Sequence, residues 1–418
     1  MKIPTLNFQE PELRSPRKTT PSRSTVRRSV NNAASLILLV TALTSTLSSR
    51  AAEAGTPAPA NQSLRHEVQR AIDRGAAWIV KSQSTNGAWS TVDHPAVTAL
   101  ALVALQGDST GAADVSRKET LTKGYAFLRS CVQSDGGIYG AKQELVNYNT
   151  AVSTMAFLTA RQPDYKPTIL KARQFLIDSQ IDFDKPGTND NVLDGGIGYG
   201  SKYKHSDMGN TLAALEAIYY SRQLAQDERL AGARDLNWAA AIQFIQNCQN
   251  LPSHNKQAWA SADPANKGGF VYYPGHSMAG TNMLTDGRVA LRSYGSISYG
   301  GMLSYAYAEL KKDDPRVSAV HDWLRSNFTL EENPGMGQQG LFFYFHTMTK
   351  ALNIHGIDVL EASDGRKIHW REQLALKLMN LQRTDGSWSN ASARWWENDP
   401  VLVTSYALIS LEMLREKL

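Results

Sequence analysis

The side chains best suited to chemistry in this 418-residue chain gather at six places. They are Asp93-His94, Tyr148-Asn149, His205-Ser206-Asp207 with Asn210, Tyr294-Gly295-Ser296, Tyr344-Phe345-His346, and Trp395-Trp396-Glu397-Asn398-Asp399. Aromatic rings and single acids are abundant there; Lys and Arg are scarce. Such a set suits a bulky apolar ligand, and aromatic faces can stabilise a carbocation. The carboxyl groups of Asp93, Asp207, Glu397 and Asp399 could serve as acids. Two of them facing each other across a cavity would instead suit glycan hydrolysis. His346 follows an aromatic run at residues 341–345 and a turn holding Gly335, Gly337 and Gly340. It reads either as a satisfied core residue or as a cavity acid/base. Asp399 before Pro400 has a second reading, an N-cap with Pro at the first helical position. Asp93 before His94-Pro95 shares that ambiguity. Segment 294–299 (YGSISY) offers Tyr294 and Tyr299 hydroxyls, which packing and capping would equally explain.

Each of these places opens an apolar stretch: residues 96–105, 150–158, 210–220, 296–310, 345–352 and 401–414. They are apolar nearly all round (VTALALVAL, TAVSTMAFL), the mark of helices buried on every side. Each follows an amphipathic stretch carrying charges such as Arg70, Asp73, Lys171 and Arg173. A motif recurs at that junction. It is clearest in RGAAWIVKSQSTNGAW at 74–89 and KLMNLQRTDGSW at 377–388, and recognisable at 123–139, 171–199, 244–270 and 323–337. Gly-rich turns separate the members of each pair. No stretch alternates with period two, so no sheet is expected. An open solenoid would need polar capping repeats at its ends, whereas the last repeat is as regular as the first. The prediction is an all-α fold, an (α/α)6 barrel of six hairpins over 63–418. Buried helices lie inside, amphipathic ones outside, and the six chemical clusters sit at one mouth.

The Gln-x3-Gly-x-Trp element at Gln83-Gly87-Trp89 and Gln382-Gly386-Trp388 resembles the QW repeat of squalene and oxidosqualene cyclases. The same hairpin repeat occurs in protein prenyltransferase β subunits, and the similarity spans residues 65–418. Physically, Gln and Trp fit a role as staples between repeats. The resemblance implies one of two chemistries. Prenyltransferases hold zinc with Asp, Cys and His. Phe345-His346-Thr347 resembles their His element, but Tyr294 and Ser296 stand where Asp and Cys would be. One imidazole cannot hold zinc, so no metal and no cofactor is expected. Squalene-type cyclases protonate a C=C bond with the middle Asp of Asp-x-Asp-Asp. The nearest approach here is Glu397-Asn398-Asp399-Pro400. By that resemblance Asp399 would be the proton donor, Glu397 its partner, and His346 a terminal base or water-positioner. Asp93 and Asp207 are the alternative acids. Trp395, Trp396, Tyr294, Tyr299, Phe342, Tyr344, His94 and Asn149 would contact the ligand. The expected partner is a hydrophobic or lipid-like small molecule, with peripheral membrane contact a further expectation. Two rivals stay open: a binding or scaffold ring without chemistry, and a carbohydrate-active hydrolase or lyase on the same barrel.

The net charge of +5 invites a search for nucleic acid. Eight of the 44 basic and three of the 39 acidic residues fall in 1–54, however, so the remainder carries equal numbers of each sign. No nucleic-acid partner is therefore expected. Segment 1–54 reads as an export signal. Arg23, Arg27 and Arg28 precede an apolar run at 33–47, and Ala52-Glu53-Ala54 is a cleavage candidate. The run falls short of the ~20 residues of a membrane span. Residues 55–62 read as a linker to the exported ring. Cys131 and Cys248 each end an apolar stretch, which predicts two buried free thiols. Gly195-Gly196-Ile197-Gly198-Tyr199 lacks the preceding strand of a dinucleotide fingerprint.

Overall fold

The computed structural model describes residues 61–107, 114–200, 203–228 and 234–418. The export segment lies outside the described residues, as does most of the linker, although Gln62 already opens the first helix. The outer helices are α1 (Gln62–Lys81), α3 (Val115–Ser130), α5 (Lys166–Asp178), α7 (Trp238–Asn247), α9 (Pro315–Ser326) and α11 (Trp370–Leu381). The inner helices are α2 (Pro95–Gly107), α4 (Val146–Ala160), α6 (Met208–Glu228), α8 (Gly295–Tyr307), α10 (Leu341–Ile354) and α12 (Pro400–Arg415). Each inner helix packs against the next, and α12 packs against α2, so the ring closes. The outer helices cover its joints. The predicted (α/α)6 barrel is the observed fold.

Among the described residues, sheet is confined to two hairpins on connecting loops. β1 (Thr281–Met283) pairs antiparallel with β2 (Val289–Leu291), and β3 (Leu360–Glu361) with β4 (Lys367–Ile368). Cys131 and Cys248 are free and buried. Among the described residues, no helix is long and apolar enough to cross a membrane.

The recurring motif joins repeats. Gln83 Nε2 donates to Gly87 O within its own turn at 3.0 Å and to Thr120 O on α3 at 2.9 Å. Gln249 repeats this toward Gly268 O and Arg316 O. Gln382 does so toward Gly386 O and Ala71 O, and so ties the last repeat to the first. Its carbonyl also accepts from Arg74. Gly386 has φ 94°, and a Cβ there would stand 2.7 Å from the Arg74 carbonyl oxygen. Only glycine meets both demands. Trp89 and Trp388 each donate Nε1–H to their own outer helix, at Ile79 O and Leu378 O. Their rings lie against Gly124 on α3 and Gly75 on α1. The fifth turn lacks the Gln: Asn327 bonds back to Trp323 O on α9 instead.

The inner helices keep residual exposure along one stripe. On α4 it is Tyr148, Val152, Met155 and Thr159; on α6 it is Gly209, Ala213, Glu216 and Tyr220. Spacings of three and four residues place each stripe on a single face. That face looks into the lumen, since the other faces contact neighbouring and outer helices.

Candidate functional site: the mouth and lumen of the ring

All six inner helices start at the same mouth, because the residues around their starts bond one another. Asn149 on α4 accepts from Ala96 N–H at the start of α2 (3.1 Å). Asn333 accepts from Ser296 N–H at the start of α8 (2.8 Å). Glu397 Oε1 accepts from Phe343 N–H in the first turn of α10 (2.8 Å). The following repeat thus caps the preceding inner helix, satisfying N–H groups that burial would otherwise leave open.

The predicted acids separate by environment. Asp399 caps α12, accepting from Val401 N–H (2.8 Å) and Leu402 N–H (3.3 Å), and its other oxygen takes the Ser90 hydroxyl. Glu397 is buried at the start of α10, and its Oε2 accepts from Asn390 Nδ2. Burial pushes its carboxyl up, opposed by these donors. Asp93 lies on the rim, paired with Lys142 Nζ at 2.7 Å. Asp207 is fully buried at the start of α6. It accepts from Asn210 N–H (2.9 Å) and Asn210 Nδ2 (2.7 Å), with the Tyr272 hydroxyl nearby also favouring the charged form. Burial outweighs those donors and pushes its carboxyl from 3.8 up to about 6. Tyr272 and Tyr199 hydroxyls meet at 2.8 Å, extending the chain of polar groups from Asp207.

If Asp399 is only a cap, Asp399→Asn should cost under about 1 kcal/mol, because Asn caps almost as well. Chemical denaturation would measure this, and any turnover should survive the substitution.

The aromatic candidates divide likewise. Trp395 and Trp396 are 39% and 42% exposed, and both adopt left-handed backbone (φ 54° and 63°). They flank the mouth from outside. His94 packs against Trp396 at 4.4 Å between ring centroids, tilted by 55°, with its Nδ1 unpartnered. Burial holds the His94 imidazole below its usual range. Asn149 is spent on its cap and on Glu144 O. Tyr344 donates to Thr329 O, toward the outer layer. Tyr294 is buried at the start of α8, Phe342 packs on Phe345, and the Tyr299 hydroxyl is buried without a partner. Ser296 exchanges hydrogen bonds with Asn333, and Ser298 accepts from Phe270 N–H. The two serines at and beside the zinc-ligand positions of the resemblance therefore serve the fold.

A second polar group crosses the lumen, and of its members the sequence pattern marks only His346 and Tyr148. Tyr148 on α4 and Tyr406 on α12 meet hydroxyl to hydroxyl at 3.2 Å, although α2 stands between their helices. Lys350 on α10 pairs with Glu216 on α6, although α8 stands between theirs. Both contacts therefore cross the lumen. His346 lies one turn before Lys350 on the same face, 5.0 Å from the Tyr406 ring, and its Nδ1 has no partner. Burial, with Lys350 nearby, holds this imidazole neutral, well below the usual histidine range. A single charge in each of two otherwise apolar stretches, 210–220 and 345–352, is the available signal.

Neither a family model nor a curated protein sequence matches the chain. Solved structures do. A variant of the type II terpene cyclase MstE from Scytonema, in its apo form, matches with TM-score 0.50 at 11% identity, covering 85% of this chain and 99% of that one. Another MstE variant, in complex with its substrate geranylgeranyl dihydroxybenzoate, gives the same values. The GH76 α-mannanase of Bacteroides thetaiotaomicron matches with TM-score 0.50 at 11% identity, covering 82% of this chain and 95% of that one. The chain thus shares an α/α toroid fold with a terpene cyclase and with a glycoside hydrolase.

Proposed function

We propose that this chain is exported and that its ring binds an isoprenoid or triterpenoid-like ligand in the lumen, entering between the starts of the inner helices. The reading extends to acid-initiated cyclisation or isomerisation with Asp207 as proton donor. The observation that carries it is the contrast among the mouth acids. Asp207 alone combines full burial, a carboxyl raised to about 6 and a tyrosine relay. A carboxyl of that kind is largely protonated below about pH 6 and can deliver its proton inside an apolar space. Asp399 and Glu397 hold helix starts, and Asp93 holds Lys142. They are committed to the wall, which also weakens the glycan reading, since that needs two carboxylates free to face a sugar. The wall facing the lumen supports an apolar ligand: Val152 and Met155 on α4, Phe343 on α10, and Leu402 and Ile409 on α12.

Mass spectrometry of organic extracts from the purified chain is the direct test. A co-purifying isoprenoid or triterpenoid at a sizeable fraction of stoichiometry is the expected result. Recovery of oligosaccharide by the chain, with no lipid retained, would favour the carbohydrate-active reading instead.

A further inference from the structure

The lumen is not uniformly apolar. Between the first and third turns of the inner helices, five side chains from four helices form a polar belt. They are Tyr148 (α4), Glu216 (α6), His346 and Lys350 (α10), and Tyr406 (α12). Two features of this belt speak to a ligand. First, the His346 Nδ1 is buried without a hydrogen-bond partner, and leaving a buried polar atom unmet is unfavourable. Second, the belt carries no net charge: Lys350 and Glu216 cancel, and the remaining members are two phenols and an imidazole. We propose that the belt receives the uncharged hydroxyl or phenol head of a polyprenyl ligand. The lumen would then select prenyl alcohols and prenyl phenols over prenyl diphosphates and over plain hydrocarbons. This deepens the isoprenoid reading and rests on it.

The mouth argues the same way. Helix starts are the natural place for a diphosphate, but protein groups already occupy these. Asp207, Asp399, Glu397, Asn149 and Asn333 take the N–H groups of five inner helices. Those N–H groups are therefore not free to receive an incoming anion. The ammonium of Lys350 could meet an anionic head only by leaving Glu216 as an unpaired charge, a costly exchange in a water-poor space. A hydroxyl asks for no such exchange. It can donate to or accept from His346 Nδ1 and join the Tyr148–Tyr406 pair, and the ion pair stays intact.

The test is a binding comparison with the purified chain. Tryptophan fluorescence or calorimetry would be read with geranylgeraniol, geranylgeranyl diphosphate and a hydrocarbon of matched length. Geranylgeraniol should bind at least tenfold more tightly than either competitor. Tyr406→Phe and His346→Phe should each erase most of that preference and leave hydrocarbon affinity unchanged. Tyr406→Phe is nearly isosteric, so it remains informative if His346→Phe fails to fold. Equal binding of alcohol and hydrocarbon, or tighter binding of the diphosphate, would overturn the belt and leave the isoprenoid reading standing. Binding of none of the three by folded protein would overturn both.

Discussion

Trp388→Ala should cost about 3–5 kcal/mol, the usual price of deleting a fully buried large aromatic, and should loosen the joint between the two ends of the chain. The indole is buried completely. It gives its Nε1–H to Leu378 O on α11 at 2.7 Å and lies against Gly75 on α1, where a Cβ would stand 2.8 Å from its ring. Gln382 bonds Ala71 O beside it. A ring of this kind has one joint at which residues near the two ends of the sequence must find each other, and entropy opposes that joint most. The midpoint of urea unfolding should fall, and amide exchange should rise first in α1 and α11. Gly75→Ala should act in the same direction by forcing the ring and helix apart. A loss below about 1 kcal/mol for Trp388→Ala would show that the seam is held elsewhere.

The same residues show how much of this molecule is legible in one dimension. Gln382, Gly386 and Trp388 announce the repeat because their work is local in pattern even where it is distant in contact. A strap must sit at a fixed place in every hairpin, so it recurs. The inner helices are legible for a similar reason: burial on all sides leaves no polar face to hide. The caps are different. Asn149 bonds the start of α2 and Glu397 the start of α10, across 53 and 54 residues of sequence. Nothing near either residue states which helix it will serve. Glu397 stands two residues before Asp399, so the resemblance reads them as an acid pair, whereas in space they hold different helices. The lumen belt is harder still. Lys350 and Glu216 each look like a lone interruption of an apolar stretch (345–352 and 210–220), and their partnership exists only because two non-adjacent walls of the ring face each other. Asp207 was visible as an acid beside a histidine. Its burial, which separates it chemically from Asp93 and Asp399, depends on Tyr199 folding back within its own connecting loop and on Tyr272 arriving from the next one.

Asp207→Asn should abolish any proton-initiated turnover, by a factor of about 10² or more, while the ring stays folded. Asn keeps a side-chain oxygen to accept from Asn210 N–H, so the start of α6 remains capped, but an amide has no proton to deliver. The wild-type rate should itself fall as pH rises through about 6, when the carboxyl loses its proton. Stability carries a second signature with a definite sign. The folded chain holds the Asp207 proton more tightly than the unfolded chain, whose carboxyl titrates near its ordinary value. Its contribution is therefore complete below about pH 4 and is lost as pH rises through about 6, roughly 3 kcal/mol in all. His346 tilts the curve the other way. Its imidazole is held neutral by burial, so the folded state weakens as pH falls below the usual histidine range and the unfolded chain takes up protons. The two slopes overlap, and the raw stability profile of the wild type will look flatter than either. Subtracting the profile of Asp207→Asn isolates the acid: the difference should decline from pH 4 to pH 6 and then level. A flat difference would mean that Asp207 is ionised in the folded ring like any surface carboxylate. It would then be a poor proton donor, and the chemical part of the proposed function would fail even if the lumen still held its ligand.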